Sequence, residues 1–258
     1  MPSTTARTDP PEHRPAKRGG RMRDMAVVDE TPVWLEVNGA PLVTWMCTPE
    51  MLEELAVGWL HGEGYIDRAG DVQLRPCATD LGFWAEVDPG RVETVRREGR
   101  QRVLASGCGA VPIFLADPDA TPEEPIRAAP PDLETTRTLF KTLFARGERY
   151  RDTGGIHAAA LTDPVTLFHH AEDIGRHNAV DKVIGAALLA HRPVAGLGLL
   201  VTGRISAELA FKAARAGIAW VATPSVPSTL AVTIARRSGM YLVGRAVSGQ
   251  PHIHHPAA

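Results

Sequence analysis

The chain has 258 residues, 44% of them hydrophobic and 22% charged, which is enough apolar material for one large core or for two lobes. Its 28 basic and 30 acidic side chains leave a formal net charge of −2. That balance excludes a global pull toward nucleic acid or an anionic membrane, so any anion site must be local. No apolar run is long enough to span a bilayer, and the charged N-terminus leads into no apolar secretory core.

Residues 1–24 are rich in Pro, Arg, Thr and Gly without an apolar period, which predicts a disordered tail. Residues 25–115 read as an N-terminal α+β lobe. Pro32 to Val37 alternates and turns at Asn38-Gly39, a hairpin signal, with Pro41 to Cys47 as the return strand. Thr48-Pro49 predicts a capped helix that buries Leu55, Val57 and Leu60 and ends at Gly62-Glu63-Gly64. Residues 72–97 read as further strands. A basic connector, Arg97 to Arg102, then leads to Gly107-Cys108-Gly109, and the Pro/Asp/Glu-rich stretch 116–132 reads as a linker.

Residues 133–250 predict an α/β lobe. A helix over 133–148 precedes paired strands at 158–161 and 165–168. Helices at 176–191, 206–216 and 228–238 then alternate with strands at 197–202, 218–222 and 240–244. This rhythm predicts β-α-β units and a parallel sheet, with Gly217 and Gly239 as left-handed helix caps. Residues 251–258 read as a tail, so His252, His254 and His255 are expected to hold no metal.

Polar chemistry gathers in three places. Glu172, Asp173, Arg176, His177, Asn178, Asp181 and Lys182 crowd the mouth of an apolar helix, too densely for a solvated helix start. The turns Thr202-Gly203-Arg204-Ile205-Ser206 and Thr223 to Thr229, the latter with Ser228, follow two successive strands. Each offers hydroxyls and backbone N–H groups suited to phosphate, and Arg204 adds a forked cation. Gly154-Gly155 permits close backbone approach just before His157. The chain has neither a G-x-G-x-x-G nor a P-loop, which speaks against a dinucleotide-binding fold or an NTPase. Of the three cysteines, Cys47 and Cys77 read as small hydrophobes. Cys108, with a glycine on each side, is the candidate nucleophile. The absence of a C-x-x-C pair fits a reducing cytoplasm.

Several motifs taken together identify a resemblance. They are Asp29-Glu30-Thr31-Pro32 with Cys47-Thr48-Pro49; Leu55-Ala56-Val57-Gly58-Trp59-Leu60 with Glu63-Gly64; Thr153 to His157; Glu172 to Lys182; and Pro227 to Val232. From about Asp29 to Gln250 the chain resembles the FdhD family, the formate dehydrogenase accessory sulfurtransferases. The resemblance implies a homodimer whose larger lobe is similar to cytidine deaminases, although the P-C-x-x-C part of the deaminase zinc signature is missing here. It implies a sulfur carrier that takes a persulfide from a cysteine desulfurase. The sulfur then passes to the molybdenum bis(guanine dinucleotide) cofactor, of which GDP is a mimic, before that cofactor enters apo-formate dehydrogenase. The persulfide cysteine falls on Cys108, and a cofactor-contacting stretch falls on Arg245, Ala246, Val247, Ser248, Gly249 and Gln250. The family loop usually reads Cys-Gly-x-Cys-Gly, whereas here Val111 stands for the second cysteine. One thiol suffices for a persulfide but not for a two-thiol relay. A cofactor-binding chaperone without sulfur chemistry is the alternative.

Overall fold

The computed structural model describes residues 27–97 and 128–255. Strands β1 (Thr31–Val37) and β2 (Ala40–Cys47) form the expected hairpin. Asn38 and Gly39 both adopt left-handed φ, 48° and 79°, so the turn follows the twist of its strands. Val33, Leu35 and Val37 point inward in strict alternation. After helix α1 (Leu52–Glu63) come β3 (Val72–Pro76), β4 (Gly82–Val87) and helix α2 (Pro89–Arg97). The first sheet has the order β2-β1-β4-β3. The end of the 72–97 segment is therefore a helix and not a strand. Asp88-Pro89 starts it, the Asp88 carboxylate accepting the Gly90 N–H at 2.7 Å.

The second sheet follows helix α3 (Leu133–Arg146), the expected helix ending two residues early, and a further short helix α4 (Glu148–Thr153) that the sequence pattern did not predict. It comprises β5 (His157–Thr162), β6 (Leu167–Asp173), β7 (Gly198–Val201), β8 (Trp220–Ala222), β9 (Tyr241–Gly244) and β10 (His252–His254). Their order is β10-β9-β8-β7-β5-β6. Helices α5 (Arg176–Leu189), α6 (Ala207–Arg215) and α7 (Thr229–Arg237) alternate with β7, β8 and β9, which run parallel. Gly217 and Gly239 take left-handed φ after α6 and α7, as their spacing predicts. The sheet is mixed, because β5 runs antiparallel to both β6 and β7. Two corrections follow. The strand expected at 165–168 runs from Leu167 to Asp173, so Glu172 and Asp173 end a strand instead of opening a helix. The expected C-terminal tail supplies β10, which pairs with the free side of β9 through its backbone and needs no apolar pattern to do so.

The two sheets meet through α1 and α5. A Cβ on Gly58 would fall on the Asp181 carbonyl, and one on Gly185 would fall on the Glu54 carbonyl, so the two backbones touch where the helices cross. The apolar flanks of this crossing lie in one core around the first sheet and another beneath the second. Among the described residues, no helix is long and apolar enough to cross a membrane. Gly58→Ala should drive a methyl group into that backbone and destabilise the protein by about 3 kcal/mol or more. A lowered urea midpoint is the expected result; an unchanged midpoint would mean the helices do not cross here.

Candidate functional site

The parallel strands β7, β8 and β9 end on one edge, where the loops after them are bonded into a single ledge. The Thr223 hydroxyl donates to the Gly203 carbonyl at 2.7 Å and accepts the Ser225 N–H at 3.0 Å. Backbone bonds join Ile205 to Val226, Arg245 to Ser225 and Ala246 to Thr223. Ser206 and Ser228 cap α6 and α7, accepting the N–H groups of Leu209 (3.4 Å) and Ala231 (3.2 Å). Each hydroxyl thus satisfies one helix donor, while the positive ends of both helix dipoles face the ledge. Arg204, Ser228, Thr229, Arg245, Val247, Gly249 and Gln250 are exposed on it. Ala246 is the exception in the expected contact stretch. Its side chain is fully buried and its N–H is bonded to Thr223, so it anchors the loop. Ser248 is half-buried: its hydroxyl donates to the Arg245 carbonyl at 2.8 Å, and its own carbonyl accepts Arg137 Nη2 at 2.5 Å.

Beside the ledge, the start of β5 and the start of α5 bring His157 and Arg176 against Gly203. A Cβ there would lie 3.1 Å from Arg176 Cδ and 3.2 Å from His157 Cε1. His157 Nδ1 lies 3.4 Å from the Thr202 hydroxyl, which also accepts the Ala158 N–H. His177 is buried deeper. Its Nε2 is 2.9 Å from Ser206 Oγ and 3.3 Å from Glu208 Oε2. Burial pushes its pKa down to about 3, helped by the positive charges of Lys212 and Arg176 and by His157. In this setting the ring is a neutral imidazole. Glu208 escaped the sequence reading. Its signal is the i,i+4 pair Glu208/Lys212 beside the buried Leu209 and Ala213, ionisable groups on the apolar face of α6.

The rest of the 172–182 cluster faces inward. Asp173 and Lys182 pair at 2.6 Å with neither side chain exposed. Asp173 Oδ2 also accepts the Thr48 N–H at 3.1 Å. Its Oδ1 accepts the Gly175 N–H at 2.7 Å and Asn178 Nδ2 at 2.9 Å. Lys182 further donates to the Thr48 carbonyl at 2.9 Å. The ammonium is enclosed by these partners, so Lys182 supports the site from behind and faces no ligand. The same contacts explain why Thr48 does not cap α1. Its hydroxyl accepts the Ile174 N–H at 3.2 Å, and the helix begins only at Leu52, after Met51 in a left-handed conformation. Glu172 bridges the start of α4, accepting the N–H groups of Arg149 (3.0 Å) and Tyr150 (2.9 Å). Gly154 ends that helix with φ 63°, and both Gly154 and Gly155 are exposed. Asp181 pairs with Lys212 at 2.6 Å inside the α1–α5–α6 contact, where Glu63 lies 4.0 Å from the same ammonium.

Cys47 is fully buried, and burial pushes its thiol up to about 11, as befits a core filler. Cys77 departs from that reading, being partly exposed with its sulfur 3.5 Å from the Thr79 hydroxyl, which lowers its pKa. Cys108 and Val111 lie outside the described residues. No group of three or more His, Cys, Asp or Glu side chains suited to a metal occurs among the described residues.

Comparison with known proteins adds identity to this geometry. The model of the FdhD/NarQ family matches residues 28–257. The sulfur carrier protein FdhD of Staphylococcus aureus (strain MRSA252) is 36% identical over 235 residues, covering 89% of this chain and 87% of that protein. The sulfur carrier protein FdhD of Bacillus subtilis (strain 168) is 34% identical over 236 residues, covering 89% and 88%. A crystal structure from Desulfotalea psychrophila, described as a candidate formate dehydrogenase accessory protein, has the same fold. Its TM-score is 0.70 at 24% identity, over 93% of this chain and 92% of that one.

Two measurements probe the interior of the site. Lys182→Met strands a buried carboxylate at Asp173 and should cost about 3–5 kcal/mol in urea unfolding, with the Asp173→Asn/Lys182→Met double variant much less affected. Equal losses in the single and double variants would contradict the pairing. His177 is pushed down to about 3 and His61 to about 4, both chiefly by burial. Unfolding lets each bind a proton below about pH 6.5, the ordinary histidine value. Their contribution is therefore whole above that pH and is lost as pH falls toward 4 and 3. Stability measured from pH 7 down to about pH 4 should decline less steeply in His61→Gln than in the parent.

Proposed function

The chain belongs to the FdhD/NarQ family, and on that footing we propose that it is a sulfur carrier serving the maturation of formate dehydrogenase. The names of its relatives support sulfur carriage, and the ledge at the strand ends supports a nucleotide-bearing cargo. The observation that carries the reading is the convergence of two capped helix N-termini with the exposed Arg204 and Arg245 on one bonded surface. Such a surface suits the two pyrophosphates of a bis(guanine dinucleotide) molybdenum cofactor, here a substrate in transit. Arg204 and Arg245 would hold phosphate oxygens, and Ser228 and Thr229 would donate to them. Arg176 and His157 would line the inner end of the ledge.

In this reading the Cys108 thiolate attacks the outer sulfur of a cysteine desulfurase persulfide. The donor's S–S bond breaks, the donor cysteine leaves as a thiolate, and Cys108 carries the new persulfide. The S–S bond of this persulfide would then break with its electron pair kept by Cys108 as a thiolate. The zero-valent sulfur would pass to the cofactor, whose reduced molybdenum would supply the two electrons that bring it to the sulfide level, before the cofactor enters apo-formate dehydrogenase. A cytoplasmic homodimer is the expected working form. A chaperone that holds the cofactor without carrying sulfur is the second reading, favoured by Val111 in place of a second cysteine.

Incubation with a cysteine desulfurase and cysteine should add one sulfur atom to the Cys108 peptide, seen by mass spectrometry, and Cys108→Ala should abolish both that gain and dehydrogenase maturation. Maturation that persists in Cys108→Ala with a sulfurated cofactor would leave only the chaperone. For the ledge, Arg204→Ala should weaken GDP binding about tenfold through loss of a charge-assisted contact. Calorimetry showing equal affinity in the two proteins would remove Arg204 from the phosphate site.

A further inference from the structure

Glu208 lies where a carboxyl group needs an explanation. Its side chain is 4% exposed, and neither of its oxygens has a hydrogen-bond partner, although Oε2 comes within 3.3 Å of His177 Nε2. Lys212 pairs with Asp181 at 2.6 Å and lies 4.0 Å from Glu63, and the charges of Lys212 and Arg176 also act on Glu208. Asp173, on the β6 side, is matched by Lys182. His157, on β5, also acts on His177. A full negative charge on Glu208 would be buried without a hydrogen-bond donor to either oxygen, which is costly. Burial accordingly raises the Glu208 pKa, against the opposing charges of Lys212 and Arg176 and with the negative charge of Asp181 adding to the effect.

We propose that Glu208 holds a proton in reserve for His177, and that an anion arriving on the ledge draws this proton from Oε2 to Nε2. This inference rests on the reading of the ledge as a phosphate site. The step is internally balanced: an O–H bond breaks at Glu208, an N–H bond forms at His177, and a neutral acid–imidazole pair becomes a carboxylate–imidazolium pair. Ser206 gives the transfer a consequence. Its hydroxyl lies 2.9 Å from Nε2 and, in the tautomer that carries its proton on Nδ1, donates to the neutral ring. Once Nε2 carries a proton and points it at Glu208, that donation ends and the Ser206 hydroxyl is released toward the ledge. The imidazolium at the α5 start also adds positive charge behind the bound anion. Glu208 is thus a positioning residue that acts through His177 and touches no ligand.

The test is nitrogen-15 and carbon-13 NMR of the full chain at about pH 8, where a phosphate with a second pKa near 6 is fully ionised. Without ligand, the Glu208 carboxyl should be protonated and the His177 ring uncharged. An ionised Glu208 at that stage overturns the proposal without reference to any ligand. With saturating GDP, the His177 ring should become charged in the parent protein while calorimetry in buffers of different ionisation enthalpy shows little net proton uptake. Glu208→Gln should keep His177 neutral and weaken GDP about tenfold, whereas Glu86→Gln on the far sheet should change neither. A ring that stays neutral with GDP bound, or that charges equally in Glu208→Gln, also overturns it. If the parent binds neither GDP nor inorganic phosphate, the phosphate reading of the ledge fails, and with it the anion-driven step. The ligand-free spectra separate that failure from an ionised Glu208.

Discussion

Asp173 and Lys182 meet at 2.6 Å with neither side chain exposed, and the architecture around the ledge hangs on that contact. A buried ion pair is tolerable only where the remaining lone pairs and protons are also satisfied. Here both carboxylate oxygens are occupied, by the Thr48 and Gly175 N–H groups and the Asn178 amide, and the ammonium also reaches the Thr48 carbonyl. The result is a four-way junction. It ties the end of β2, the last residue of β6, the turn before α5 and the first turns of α5 into one unit. Arg176 and His177 occupy the start of α5, so the direction in which they project is inherited from this junction.

The crossing of α1 and α5 completes the constraint from the other side. Gly58 and Gly185 let two backbones touch, a proximity no side chain would permit. Close packing of this kind leaves little room for water around Asp181, Lys212, Glu63 and Glu208, which gather at the same contact with α6. Polar groups held so tightly in a dry interior interact strongly, and a proton among them has few places to go. The ledge meets solvent, whereas the groups behind it do not. The exposed ledge is thereby backed by an interior whose charge is tightly set.

The site divides its polar residues between two tasks that a residue count does not separate. Arg204, Arg245, Ser228 and Thr229 are presented to solvent on loops after parallel strands, where a ligand can reach them. Asp173, Lys182, Glu172 and Asn178 instead hydrogen-bond to backbone groups and to one another and hold the elements behind the ledge in place. His177 stands between the two sets, buried yet hydrogen-bonded to the cap of the helix that forms the ledge.

Local pattern was enough for a good part of this protein. The Asn38-Gly39 hairpin, the glycine stops after α6 and α7, and the alternation of strands and helices from 176 to 244 follow from turn chemistry and apolar period, which act over a few residues. The same pattern brought out the ledge turns, because a Ser or Thr before an apolar helix is a local signal. Tertiary structure decided the rest. It took Thr48 from its own helix to serve the turn before α5, and turned Glu172 and Asp173 into the end of a strand. It drew residues 252–254 into a sheet, enclosed Lys182, made His177 neutral and brought Glu208 to its side. Each of these depends on partners up to 134 positions apart in the chain, as between Lys182 and Thr48. Whether a charged side chain meets water or a buried counter-charge is a property of the space around it, and no stretch of sequence contains that space.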